Sequence, residues 1–289
     1  MTPCFADDLQ SALLDRQPFK FHHKLLGHPA LALDNLSRVL PKLPPQQVMY
    51  SKGLLDVEAD FESTFRKKPQ DRSLEETIES IRTRDSYIMV RSPETDPSFL
   101  DLYQSLCSEV SSLMKSRGVG DMPVGAQLYL FIASPNSVTP FHIDRYSTFL
   151  MQFRGSKTVT VAQPWDDRVV SQPDREAYVV RQNTKLPWSP QTDQISTAFE
   201  FSPGEALHIP FVAGHHVRNG PEDVSISMSI IFNTRESIRW RDALSFNHVM
   251  RKQLQRVRMG PGKVGQSAWQ DALKSRMWHG YLKARGFED

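Results

Sequence analysis

The sequence predicts a mainly β core, a barrel or sandwich of short strands, with helical additions at both ends. Two features of the chain carry this. From Gln127 to Thr234 short runs rich in β-branched and aromatic residues recur between turn residues, at intervals that suit an all-β domain. Before and after that stretch the apolar residues return to helical spacing. At 289 residues the chain is long enough for a sizeable core with additions. The expected division is a helical or mixed region over 1–120, the β core over 121–234 and a helical extension over 235–289, packed as one integrated domain.

The first 85 residues read as short helices joined by Pro-rich turns. A helix is expected from Pro29 to Leu40, opened by proline and stopped before Pro41, with Pro41 to Pro45 as a stiff connector. Ser73-Leu-Glu-Glu76 has the form of a capping box and opens a helix carrying Ile78 and Ile81. Tyr87 to Val90 reads as a buried strand. Asp96-Pro97 opens the clearest helix, with Phe99, Leu102, Leu106, Val110, Leu113 and Met114 along one stripe and Gly118 as its stop. That stripe is core.

Strands are expected over Gln127–Ala133, His142–Asp144, Thr148–Phe153, Lys157–Ala162, Phe199–Phe201, Ala206–Ile209 and Ser225–Phe232, with Gly155-Ser156 as a hairpin connection. Pro173 to Ser196 reads as a polar, Pro-punctuated loop. Beyond Thr234, Ile238, Ala243, Met250, Leu254 and Val257 share a helical side, Met259-Gly-Pro-Gly262 breaks the run, and a last helix carries Trp269, Leu273, Met277 and Tyr281.

Composition excludes several classes. Hydrophobic content of 39%, charged content of 24% and a formal net charge of +2 describe an ordinary globular chain. Cys4 and Cys107 have no partner at metal-ligand spacing, so neither a zinc site nor a disulfide framework is expected. Phe21-His22-His23 and His28 read as surface or packing histidines. No apolar run reaches the ~18 residues of a membrane span and the N-terminus lacks the pattern of a signal peptide, so a cytoplasmic protein is expected. The tail after Thr234 holds twelve Lys or Arg against five acids. Its basic residues are spread around the helices, which favours a solvated or dimerising appendage over a nucleic-acid surface.

Chemistry concentrates in Thr139-Pro-Phe-His142-Ile-Asp144 and, far along the chain, Pro210-Phe-Val-Ala-Gly-His215-His216. A His, a carboxylate two residues later and a remote second His form the set that holds non-haem Fe(II) with open positions. On a strand, residues two apart face the same side, so His142 and Asp144 can grip one ion while Ile143 faces away. The remote ligand is expected to be His215, with His216 and His208 as alternatives.

The flanks extend the pattern. Val138-Thr139-Pro140 precedes the first His, Arg154-Gly155-Ser156-Lys157 follows it, and Ser202-Pro-Gly204 to Pro210 leads into the second. Over Gln127 to Thr234 this resembles the JmjC/cupin-like (cupin_8-type) oxygenases. The resemblance implies a double-stranded β-helix (jelly-roll) core, Fe(II) on His142, Asp144 and His215, and 2-oxoglutarate as co-substrate with O2. It implies that Lys157 and Thr139 meet the distal carboxylate of the oxo acid. Thr148 stands where the family more often has Asn at the metal-bound end, and Tyr129 is a further candidate to line the pocket. Family members usually carry a bulky aromatic before the distal His; here Ala213-Gly214 stands there, implying a wider pocket and a looser loop.

The activity implied is hydroxylation of an amino-acid-like, peptide or protein substrate, or another small molecule. Two alternatives come from other classes: a cupin-fold metal dioxygenase without an oxo acid, and a non-catalytic regulator binding nucleic acid through the basic tail. A buried Lys157 separates the first from the oxygenase, because that alternative has no need of the cation. Arg145 and Arg154 are candidates for a substrate carboxylate. Relatives dimerise through C-terminal helices, so a homodimer is the oligomer expected.

Overall fold

The computed structural model describes residues 3–51, 55–66, 74–83, 85–255 and 259–286. Two antiparallel sheets face each other. The larger has seven strands in the order β1 (Phe19–His22), β9 (Glu205–Ile209), β6 (Ser147–Arg154), β11 (Ser225–Asn233), β4 (Val124–Ala133), β3 (Tyr87–Arg91) and β2 (Val48–Ser51). The smaller runs β5 (Val138–Ile143), β10 (Gly214–Asn219), β7 (Lys157–Val161) and β8 (Thr197–Phe201). From β4 to β11 the chain alternates between the sheets except at β7 and β8, which pair within the small sheet, and this is the double-stranded β-helix expected.

Alternation along the strands sorts the side chains into layers. On the outer face of the large sheet, Ile88, Val90, Leu128, Leu130, Phe149, Met228 and Ile230 pack with Leu102, Leu106, Val110 and Met114 of α4 (Leu100–Arg117). Between the sheets lie Leu150, Val159, Val161, Phe201, Leu207, Ile209 and Val217. Behind the small sheet, Phe141 and Ile143 pack with Tyr178, Phe211, Trp240 and Leu244. Only part of the space between the sheets is filled with apolar side chains, and the rest is the pocket described below.

Several expectations need correcting. The first 85 residues are not only helices: Phe19–His22 and Val48–Ser51 extend the large sheet at its two edges. These strands are too short, and too hemmed by proline, to show a period of two. The Pro29–Leu40 helix is a 3-10 turn at Pro29–Leu31 followed by α1 (Leu33–Val39). Asp96 caps a 3-10 turn, accepting from Ser98 N at 2.9 Å, before α4 begins, and Gly118 ends α4 at φ 67°. Two further short helices follow in the N-terminal region, α2 (Phe61–Arg66) and α3 (Leu74–Glu79). Ser73 of the capping box, like Val257 of the tail stripe, lies outside the described residues.

The Pro173–Ser196 segment is not a structureless loop. It carries most of α5 (Gln172–Val179) and all of α6 (Pro190–Gln194). Two of its charged residues, Arg175 and Glu176, are internal: Glu176 accepts from Arg251 Nε at 2.7 Å and from Asn247 Nδ2 at 3.2 Å, both on α7 (Arg235–Gln255). The last helix, α8 (Ala268–Ala284), packs on α7. Among the described residues no helix is long and apolar enough to cross a membrane.

Candidate active site

The metal-type cluster is assembled by strand register. His142 on β5 and His215 on β10 are Cα partners in the ladder of the small sheet, and their rings stand 4.1 Å apart. Asp144 lies one residue past the end of β5, so its position is set by a turn rather than by the alternation the sequence suggests. Its carbonyl accepts from Val212 N at 3.1 Å. His142 Nε2 and Asp144 Oδ1 are 4.0 Å apart, and one ligand atom from each of the three residues lies within 4.8 Å of the others. Among the described residues no other group of three His, Cys, Asp or Glu could hold an ion.

The donor set fits a divalent transition metal. His142 Nδ1 is 2.7 Å from Pro140 O and His215 Nδ1 is 3.0 Å from Ala213 O. A carbonyl can only accept, so each Nδ1 carries the proton and each Nε2 keeps a free lone pair. Burial, followed by the proximity of His215, pushes His142 well below the usual imidazole range, keeping it neutral as a ligand must be. Asp144 Oδ2 accepts from Thr148 Oγ1 at 2.7 Å, leaving Oδ1 toward the histidines. Imidazole and carboxylate with room for exogenous ligands suit Fe(II).

His216 points elsewhere. Its Nε2 lies 3.0 Å from Asp193 Oδ1 on α6, and its ring meets Trp188 edge-on. His208 is fully buried and committed: Nε2 accepts from Asp15 N at 2.9 Å while Nδ1 donates to Thr148 O at 3.1 Å. The N-terminal histidines are placed outside the cluster. His22 pairs with Asp8 at 2.7 Å, His23 lies 2.8 Å from Gln152 O, and His28 Nδ1 caps Ala30 N at 3.2 Å.

Beside the cluster, a pocket runs between the sheets. Lys157, Thr139, Thr148 and Tyr129 all line it with the three cluster residues. Lys157 is 6% exposed, and its Nζ donates to Ser227 Oγ at 2.7 Å. No carboxylate among the described residues pairs with it, and burial lowers its pKa to about 7. Thr139 Oγ1 donates to the Tyr87 hydroxyl at 3.3 Å. Thr148, expected to face a bound oxo acid, spends its proton on Asp144 instead. Tyr129 shares a hydrogen bond with the half-buried Tyr146.

Sequence reasoning missed Ser227, Tyr87, Tyr146 and Phe61. Ser225, Ser227 and Ser229 were legible in part, since three serines at alternate positions of a core strand imply a polar cavity on one side. Phe61 gave no signal, for it stands on a one-turn helix outside the β core. Arg145 and Arg154, candidates for a substrate carboxylate, are taken by Glu62 and by Asp223 (2.7 Å) respectively. Nor does Ala213-Gly214 widen the pocket or loosen a loop. Gly214 opens β10, and the ring of Phe141 occupies its side-chain space.

The fold and the cluster together define a double-stranded β-helix protein with a His-Asp-His metal-type centre. By the match of residues 47–238 to its model, the chain belongs to the cupin-like domain family, within the JmjC-like cupins. Among solved structures it is similar to E. coli YcfD at 14% identity and a TM-score of 0.49, over 96% of this chain and 69% of that one. A second structure of that protein, described as the Escherichia coli ribosomal oxygenase YcfD, gives 14% identity and 0.48, over 98% and 68%. Oxalate decarboxylase from Bacillus subtilis is similar at 15% identity and 0.26, over 37% and 21%. No curated protein matches the chain.

Proposed function

We propose that this protein is an Fe(II)- and 2-oxoglutarate-dependent oxygenase that hydroxylates an amino-acid-like, peptide or protein substrate. The observation that carries the reading is Lys157. An ammonium group on an inner strand, hydrogen-bonded to a single serine hydroxyl, is costly unless an anion completes it. It shares one pocket with the His142, Asp144 and His215 cluster, so a ligand with an anionic tail and a metal-chelating head would meet both from that pocket. A dioxygenase without an oxo acid has no use for such a cation.

In this reading His142, Asp144 and His215 hold the iron, which with the oxo acid supplies O2 activation. Lys157 and Ser227 bind the distal carboxylate, and Thr139 joins them by turning its proton from the Tyr87 oxygen to the carboxylate. Thr148 fixes Asp144. Phe131, Leu150 and Val217 line the pocket between them and exclude water. We propose in addition that two copies pair through α8, whose Trp269, Leu273 and Met277 are exposed along one side.

The test is anaerobic difference absorbance of Fe(II) with 2-oxoglutarate, in the weak visible charge-transfer region. A band is expected in the wild type, lost in Asp144→Ala and weakened in Lys157→Ala. No band and no 2-oxoglutarate binding in the wild type would end the oxygenase reading.

A further inference from the structure

The segment Val57–Glu62 packs beside β5, and three of its contacts fall on the first metal-site histidine or on neighbours of the two β5-side ligands. Val57 O accepts from Phe141 N at 2.9 Å, one residue before His142. The Phe61 ring stacks on the His142 imidazole, 4.1 Å away and 14° from parallel. Glu62 pairs with Arg145, the residue after Asp144, and with Arg181 at 3.3 Å. Asp60 Oδ2 accepts from Thr184 Oγ1 at 3.0 Å, fastening the same segment to the stretch between α5 and α6.

We propose that this segment is a clasp that positions the two ligands supplied by β5 and the turn after it. Phe61 fixes the plane of the His142 ring. Glu62 fixes Arg145, and through it the backbone that carries Asp144, while offsetting the guanidinium charge beside the ion. The inference rests on the metal-centre reading given above.

The geometry explains why both actions are needed. A single Nδ1 hydrogen bond leaves the imidazole free to tilt about that axis, and a parallel ring at stacking distance removes the tilt. Asp144 has left the β5 ladder, so the next residue must hold the turn. Arg145 does so with Nε on Tyr178 O at 3.0 Å, Nη1 on Glu62 and its guanidinium 4.3 Å over the Tyr178 ring. Its side chain is 13% exposed, so its charge is poorly screened and repels other positive charge beside it. An ion at the cluster would feel the same repulsion if Glu62 did not offset it.

The experiment is an anaerobic Co(II) titration followed by visible ligand-field absorbance, with thermal unfolding of the metal-free forms recorded in parallel. The variants are Phe61→Leu, Phe61→Tyr, Glu62→Gln and the pair Glu62→Gln with Arg145→Gln. Expected are about tenfold weaker Co(II) binding in Glu62→Gln, partial recovery in the double variant, a displaced spectrum in Phe61→Leu and a wild-type spectrum in Phe61→Tyr. Wild-type affinity and spectra in the single variants would overturn the clasp while leaving the metal centre standing. A double variant no better than Glu62→Gln would overturn the charge-offset role. A wild type that takes up no Co(II) would overturn the metal centre and the clasp together.

Discussion

Lys157 carries an ammonium group into the pocket between the sheets, and its energetics run opposite ways for folding and for binding. Its pKa is about 7 in the folded chain against an ordinary 10.5. Between those values the unfolded chain holds a proton that the folded chain has lost, so this residue makes stability rise with pH from about 7 towards 10.5. Below about pH 7 the full cost of the buried charge is present. Binding a carboxylate needs the charged form, so 2-oxoglutarate affinity is expected to fall as pH rises above 7. Lys157→Met should therefore raise Tm while weakening 2-oxoglutarate about 100-fold or more. Calorimetric titration and thermal unfolding of the same sample check both arms; a lower Tm with unchanged affinity would show that the lysine is structural. His142, Asp144 and Lys157 were legible because their neighbours in sequence carry the pattern. The commitment of Thr148 to Asp144 was not, because it depends on how the turn after β5 folds back on β6.

At the scale of elements, the pairing of β5 with β10 decides whether a centre forms at all. Gly214 opens β10, and a Cβ built there would lie 2.6 Å from Phe141 Cζ on β5. Gly214→Ala is expected to push the two strands apart at the histidine pair, lowering both Tm and Co(II) affinity. A variant with wild-type values of each would mean that the Phe141 ring yields without cost. Long, strongly patterned elements were readable: α4 by its stripe and cap, β6 by its apolar run, and β7 and β11 by alternation. The strands β1 and β2 were not, being four residues each and supported by tertiary pairing rather than by propensity. The helices α5 and α6 were hidden for another reason. Their polar residues suggested solvent, whereas Arg175 and Glu176 are almost fully buried in ion pairs and hydrogen bonds.

For the whole molecule, the last helix is turned the unexpected way round. The side of α8 facing α7 is polar, with buried Ser275 donating to Asp242 at 2.9 Å and His279 at 3.0 Å from the same carboxylate. Its apolar residues face outward, Trp269 at 69%, Leu273 at 49% and Met277 at 48% exposure. Periodicity alone shows a stripe but not which way it faces. A row of large apolar residues turned away from its own domain calls for a cover, and a second copy presenting the same row is self-complementary. Light scattering after size exclusion should give a dimer for the wild type and a monomer for Trp269→Glu with Leu273→Glu; a monomeric wild type would remove this proposal. The cross-strand histidine pair has its own consequence for the life of the chain. The two ligand strands are separated in the chain by the stretch from β6 to β9, and they meet only when β10 docks between β5 and β7. Contacts so distant in sequence close late in folding. The nascent chain therefore has no complete site with which to capture whatever ion is most abundant. Any choice among metals would then fall to the finished barrel, after synthesis, where ligand geometry rather than first encounter selects the occupant.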